Sequence, residues 1–82
     1  MTRITLYGRV DCHLCHEMRV VVDGVVDGMP GVTVEEVDVD GDPALAAAYG
    51  TEIPVLSVNG RKAFRHRVTP SALRALLVRE RG

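Results

Sequence analysis

A small α/β domain is what this sequence predicts: a four-stranded mixed sheet with helices packed on its faces, in the order strand, helix, strand, helix, strand, strand, helix. Three observations carry that expectation. The apolar residues switch along the chain between two-residue alternation and helical spacing. Asp42-Pro43 and Thr69-Pro70 each set a capping side chain before a proline, the signature of a helix start. Asn59-Gly60 separates two strand-like runs, a strong short-range hairpin signal.

The elements follow in order. Thr2 to Tyr7 alternates as a strand, and Gly8 breaks it. From Leu14 the apolar residues recur at Met18, Val21, Val22 and Val25, which predicts a helix from about Cys12 to Asp27 with Asp11 as its N-cap. Gly24 and the many valines are weak helix formers, so tertiary packing must hold this element. Met29-Pro30-Gly31 is a stop and a turn. Val32 to Val39 reads as a strand whose alternation slips at Glu35 and Glu36, predicting a bulge or an early end. Asp42-Pro43 opens a short helix over Ala44 to Tyr49, and Gly50 stops it. Val55 to Val58 is a strand entered through Ile53-Pro54. Asn59-Gly60 then predicts a type I′ turn, with Arg61 to Arg67 returning. Leu73, Leu76, Leu77 and Glu80 lay out a final amphipathic helix after Thr69-Pro70. The first two strands, joined through a helix, should be parallel with a right-handed crossover, and the last two antiparallel.

The 82 residues predict one domain, whose folding buries roughly 60% of the extended-chain surface, so every element must serve a single core. That core is aliphatic: the chain is 46% hydrophobic, with no tryptophan. No apolar run is long enough for a membrane span, and Met1-Thr2-Arg3 leads into a strand without an apolar leader. A reducing cytoplasm is the expected location, and a monomer the expected state. Acidic residues dominate before Ile53 and basic ones after Asn59, with Arg61, Lys62, Arg65 and Arg67 crowded together. Such a face could steer an anionic partner, but we read it as a solvated strand balanced by the acidic half. Nucleic acid is not expected, because the chain is not basic overall and has no aromatic stacking platform.

Cys12-His13-Leu14-Cys15 carries the chemistry. Two thiols three residues apart at a helix head lie on one face, near enough to close a disulfide, and the helix N-terminus favours a thiolate there. These are the only cysteines, so the spacing reads as a redox pair or as half of a metal site. Arg9 and a protonated His13 would add positive charge, whereas Asp11 would oppose a second anion.

This arrangement resembles the thioredoxin fold in its short glutaredoxin-like form, over essentially the whole chain, residues 1–82. Tyr7-Gly8-Arg9-Val10-Asp11-Cys12-His13-Leu14-Cys15 is similar to the glutaredoxin active-site segment, with Arg9 at the place of a lysine. Ile53-Pro54-Val55 is similar to the family's valine-proline step, whose proline is cis and faces the cysteines. The resemblance implies a thiol–disulfide oxidoreductase: Cys12 attacks, Cys15 resolves, and Tyr7, Arg9, His13, Leu14, Ile53 and Pro54 line the place where substrate binds. It implies no resident cofactor and no metal. The partner would be a disulfide-bearing protein or a small thiol, with glutathione or a thioredoxin reductase system as reductant. Phe64-Arg65-His66-Arg67 departs from the family's paired glycines and following acid, which weighs against glutathione.

The rival reading is a binding module for copper or an iron–sulfur cluster that uses the same cysteines, since soft thiolates suit such metals. Copper-chaperone domains end on a strand and place a methionine before the pair, whereas here Val10 and Asp11 stand there and a capped helix follows Thr69. His16 is a weak candidate ligand beside the pair, and zinc would want four ligands.

Overall fold

Alternation sets the central strand. Along β1 (Thr2–Gly8) the side chains of Ile4 and Leu6 are buried on one face, while Thr5 and Tyr7 are half-buried on the other. The computed structural model, which describes residues 1–81, pairs β1 in parallel with β2 (Val32–Asp38) and antiparallel with β3 (Val55–Val58). β4 (Arg61–Arg65) pairs antiparallel with β3, which gives the sheet order β2-β1-β3-β4. Three α-helices complete the fold: α1 (His13–Val26), α2 (Pro43–Tyr49) and α3 (Pro70–Arg81). The mixed four-stranded α/β architecture is the one the sequence predicts.

α1 and α3 share one face of the sheet. Met18, Val22 and Val25 of α1 and Leu73 and Leu77 of α3 pack with Ile4, Leu6, Leu56 and Val58 in one cluster. Burying an aliphatic side chain of this size is worth about 1.5–3 kcal/mol, whereas Gly24 costs its helix only about 1 kcal/mol. Packing therefore outweighs the weak propensity of α1. The other face is covered by α2, whose Tyr49 ring stands 4.9 Å from that of Tyr7. Val39 and Val55 are fully buried as well.

The hairpin turn is as predicted: Asn59 and Gly60 have φ of 52° and 85°, the two positive values that a type I′ turn demands. Its Asn59 side chain accepts the Arg3 N–H at 2.9 Å and donates to Glu80 at 3.0 Å.

Several boundaries differ from expectation. Gly8 does not break β1 but continues it, paired with Asp38. Cys12, not Asp11, is the N-cap of α1, because its own sulfur accepts the Cys15 N–H at 3.1 Å. The helix ends at Val26, with Asp27 as its cap. β2 ends early, at Asp38, and Val39 turns inward in a 3-10 turn over Val39–Gly41. Glu35 and Glu36 stay in register with β1, and a register shift lies instead between Leu56 and Ser57, opposite β4. β4 ends at Arg65 rather than Arg67. His66 takes φ of 67°, and the Arg67 N–H bonds back to the Arg65 carbonyl at 2.7 Å, a γ-turn that no strand can pass.

Candidate active site

The register of the sheet brings the cysteines and the proline to one end of the molecule. Tyr7 pairs with Val55, so the next positions along the two strands, Gly8 and Pro54, meet about one strand spacing apart. Gly8 in turn lies directly beneath Cys15: a Cβ added there would stand 2.8 Å from the Cys15 Sγ. The bare backbone of Gly8 is what lets α1 sit down on this end of β1.

Cys12 and Cys15 are joined in a disulfide, with their Cα atoms 5.1 Å apart. Their exposures differ. Cys12 is half-buried at the head of α1, whereas Cys15 is 4% exposed and sealed against the sheet. An attacking ligand can therefore reach Cys12 only. The N–H that the Cys12 sulfur accepts belongs to the first turn of the helix, where orphan donors concentrate and the helix dipole is positive.

The peptide bond Ile53-Pro54 is cis, and Pro54 is fully buried. Its carbonyl accepts the His66 N–H at 2.7 Å, which ties the end of β4 to this loop. Ahead of it, the Glu52 N–H bonds the Tyr49 carbonyl at 2.8 Å. The Glu52 carboxylate holds Lys62 at 2.9 Å and Arg65 at 3.4 Å. The hydrogen bond and charge of Lys62, helped by Arg65, hold the Glu52 carboxyl below its ordinary value. Lys62 also stands 5.9 Å over the Tyr49 ring, within cation–π range.

The predicted lining residues fall into two groups. Leu14 is half-buried between the cysteines, and His13 is exposed, 3.7 Å from Glu17. Tyr7 is half-buried against Tyr49 and thus takes a packing role on the face opposite Ile4. Arg9 is committed elsewhere: its Nε lies 2.9 Å from Asp40 and one terminal nitrogen donates to the Gly50 carbonyl at 3.1 Å. Its guanidinium thus straps the cysteine loop to the end of α2. His16 lies 3.0 Å from the Val10 carbonyl. Among the described residues, no group of three or more His, Cys, Asp or Glu side chains is placed to hold a metal ion.

Tyr49, Glu52 and Asp40 were not singled out from sequence as site residues, and Lys62 was read only as part of a solvated basic strand. Each acts through a partner distant in the chain. The proximity of Glu52 to Pro54 was the only local hint.

The family model described as "Glutaredoxin-like domain (DUF836)" matches residues 3–78. No curated protein matches significantly. Among solved structures, the chain is similar to the Northeast Structural Genomics target protein XcR50 from X. campestris. Identity is 35% and the TM-score 0.71 against its X-ray structure, covering 93% of this chain and 96% of that one. Protein Ne2328 from Nitrosomonas europaea is 23% identical with a TM-score of 0.77, over 92% of this chain and 89% of that one. Mitochondrial thioredoxin 3 from Saccharomyces cerevisiae, in its oxidized form, is 20% identical with a TM-score of 0.71, over 95% and 77% of the two chains. The last two likenesses are likenesses of fold. No helix among the described residues is long and apolar enough to cross a membrane.

Proposed function

The chain belongs to the glutaredoxin-like domain family, and from that premise we propose that it is a thiol–disulfide oxidoreductase that reduces a client disulfide through Cys12 and Cys15. The observation that carries this reading is the unequal burial of the pair: an N-cap sulfur half open to solvent, bonded to a sulfur that is sealed.

In the reduced protein the Cys12 thiolate, favoured by the helix N-terminus, attacks one sulfur of the client disulfide. A Cys12–client disulfide forms, the client's own S–S bond breaks, and its second sulfur leaves as a thiolate that takes up a proton. Cys15 then gives up its proton and attacks the Cys12 sulfur, releasing the first client sulfur. Two electrons have passed to the client, and the Cys12–Cys15 disulfide is the oxidised product. Two molecules of glutathione, which leave as glutathione disulfide, or a thioredoxin reductase chain return two electrons and two protons. The Arg65-His66-Arg67 segment favours the latter, since it offers cations where an acid would hold the amino group of glutathione.

In this scheme Leu14, His13 and the backbone of Ile53 contact the client, and Pro54 supplies no N–H that would compete. Arg9 acts as a positioning residue through Asp40 and Gly50 rather than by direct contact. We place the protein in the cytoplasm, acting as a monomer.

The test uses single cysteine variants. Cys12→Ser should abolish disulfide reduction, and Cys15→Ser should accumulate mixed disulfides with clients that mass spectrometry identifies. Unchanged turnover in both variants removes the oxidoreductase reading.

A further inference from the structure

Beside the cysteines lies a groove of about 500 Å³ between α1 and the connection from β4 to α3. Leu14, Met18, Phe64 and Val68 give it an apolar floor, and His66 and Arg67 stand at its mouth. The groove begins at the reactive end, because Leu14 sits between the two cysteines and the His66 N–H is bonded to the Pro54 carbonyl.

Arg67 is the one Lys or Arg among the residues that line the groove, and the other cations of its segment are paired away from it. Arg61 faces Glu80, and Lys62 and Arg65 share the one carboxylate of Glu52. Arg67 has no ion-pair partner among the described residues. The single acid of the groove, Glu17, lies on the opposite wall and faces His13. An apolar floor with an unpaired cation at its mouth matches two neighbouring side chains of one polypeptide, one apolar and one acidic.

We propose that this groove selects the client: it receives the segment next to the client's reactive cysteine, with an apolar side chain on the Leu14–Val68 floor and an adjacent carboxylate at Arg67. The assignment rests on the oxidoreductase reading and adds a substrate class to it, an acidic protein disulfide.

Two peptides test it, each carrying one cysteine in mixed disulfide with 2-mercaptoethanol and differing only in Leu-Glu or Leu-Lys beside that cysteine. The expected kcat/KM favours the Glu peptide by about fivefold at low salt, the scale of one exposed ion pair. About 0.5 M salt should shrink the ratio, and Arg67→Glu should reverse it. Equal kcat/KM for the two peptides, or a ratio that Arg67→Glu leaves unchanged, overturns the groove assignment. Failure of the unaltered protein on both peptides and on bis(2-hydroxyethyl) disulfide overturns the oxidoreductase reading instead. In that case the same peptides with Ser for Cys decide the groove by NMR titration of the oxidised protein. Shifts at Val68 and Ala72 selective for the Glu peptide uphold it, and equal or absent shifts overturn it.

Discussion

Gly8 shows how much of the site depends on one missing side chain. Its Cβ would press on Cys15 at both Sγ and Cβ, at 2.8 and 3.1 Å, and neither atom is the far end of a flexible side chain. Gly8→Ala should therefore destabilise the protein by about 1–3 kcal/mol, as overpacking does, read by urea unfolding. It should also slow the resolving step, seen as longer-lived mixed disulfides. Glu52 yields a prediction about pH. Its carboxyl is depressed by Lys62 first, so what it contributes to stability is complete above the ordinary carboxylate range and is lost as pH falls through the lowered value. The stability gap between the unaltered protein and Glu52→Gln should accordingly be flat near neutrality and close in acid. The Glu52 side-chain carbon, followed by NMR, should titrate below the ordinary glutamate range and move upward in Lys62→Met. At this scale Cys12, Cys15 and Pro54 were legible because their spacing and neighbours are local. The strap from Arg9 to Asp40 and Gly50 was not, since a guanidinium's choice among carboxylates is made by tertiary structure.

At the scale of elements, the interiors were readable and the ends were not. The alternation of β1 and the spacing of Met18, Val22 and Val25 record burial directly. The start of α1 was misplaced by one residue because Asp is the commoner cap, whereas here the cysteine sulfur takes the N–H. The end of β4 was misplaced because Arg67 continues a basic run that looks strand-like, while the backbone reverses at His66. That residue should be sensitive to shape rather than charge. His66→Val is expected to cost about 1–2 kcal/mol, since a β-branched side chain tolerates positive φ poorly, and His66→Gly should cost far less. The Thr69 hydroxyl, which accepts the Ala72 N–H at 3.1 Å, caps α3. Thr69→Ala should lower stability by about 1 kcal/mol in the same denaturation experiment.

Over the whole molecule, the two interior strands and two helices share one cluster of aliphatic side chains, with α2 closing the opposite face through Tyr49. Leu77, fully buried in that cluster, should cost about 2–5 kcal/mol when cut to alanine, a large part of the total stability usual for a small domain. The mixed pairing was legible in the sequence because a helix links the first two strands and a turn links the last two, whereas the antiparallel meeting of β1 with β3, which sets the strand order, was not. Which residues would gather at one end was not, because it follows from register, and register is set by partners far apart in the chain.

The Asn59 side chain, bonded to both Arg3 and Glu80, gathers the first strand's beginning and the last helix's final turn at a common pole. β1 climbs about 20 Å from there before it passes under Cys15. Anchoring the protein through that pole, to an electrode or a resin, should leave its sulfur pole facing outward and free to meet large guests.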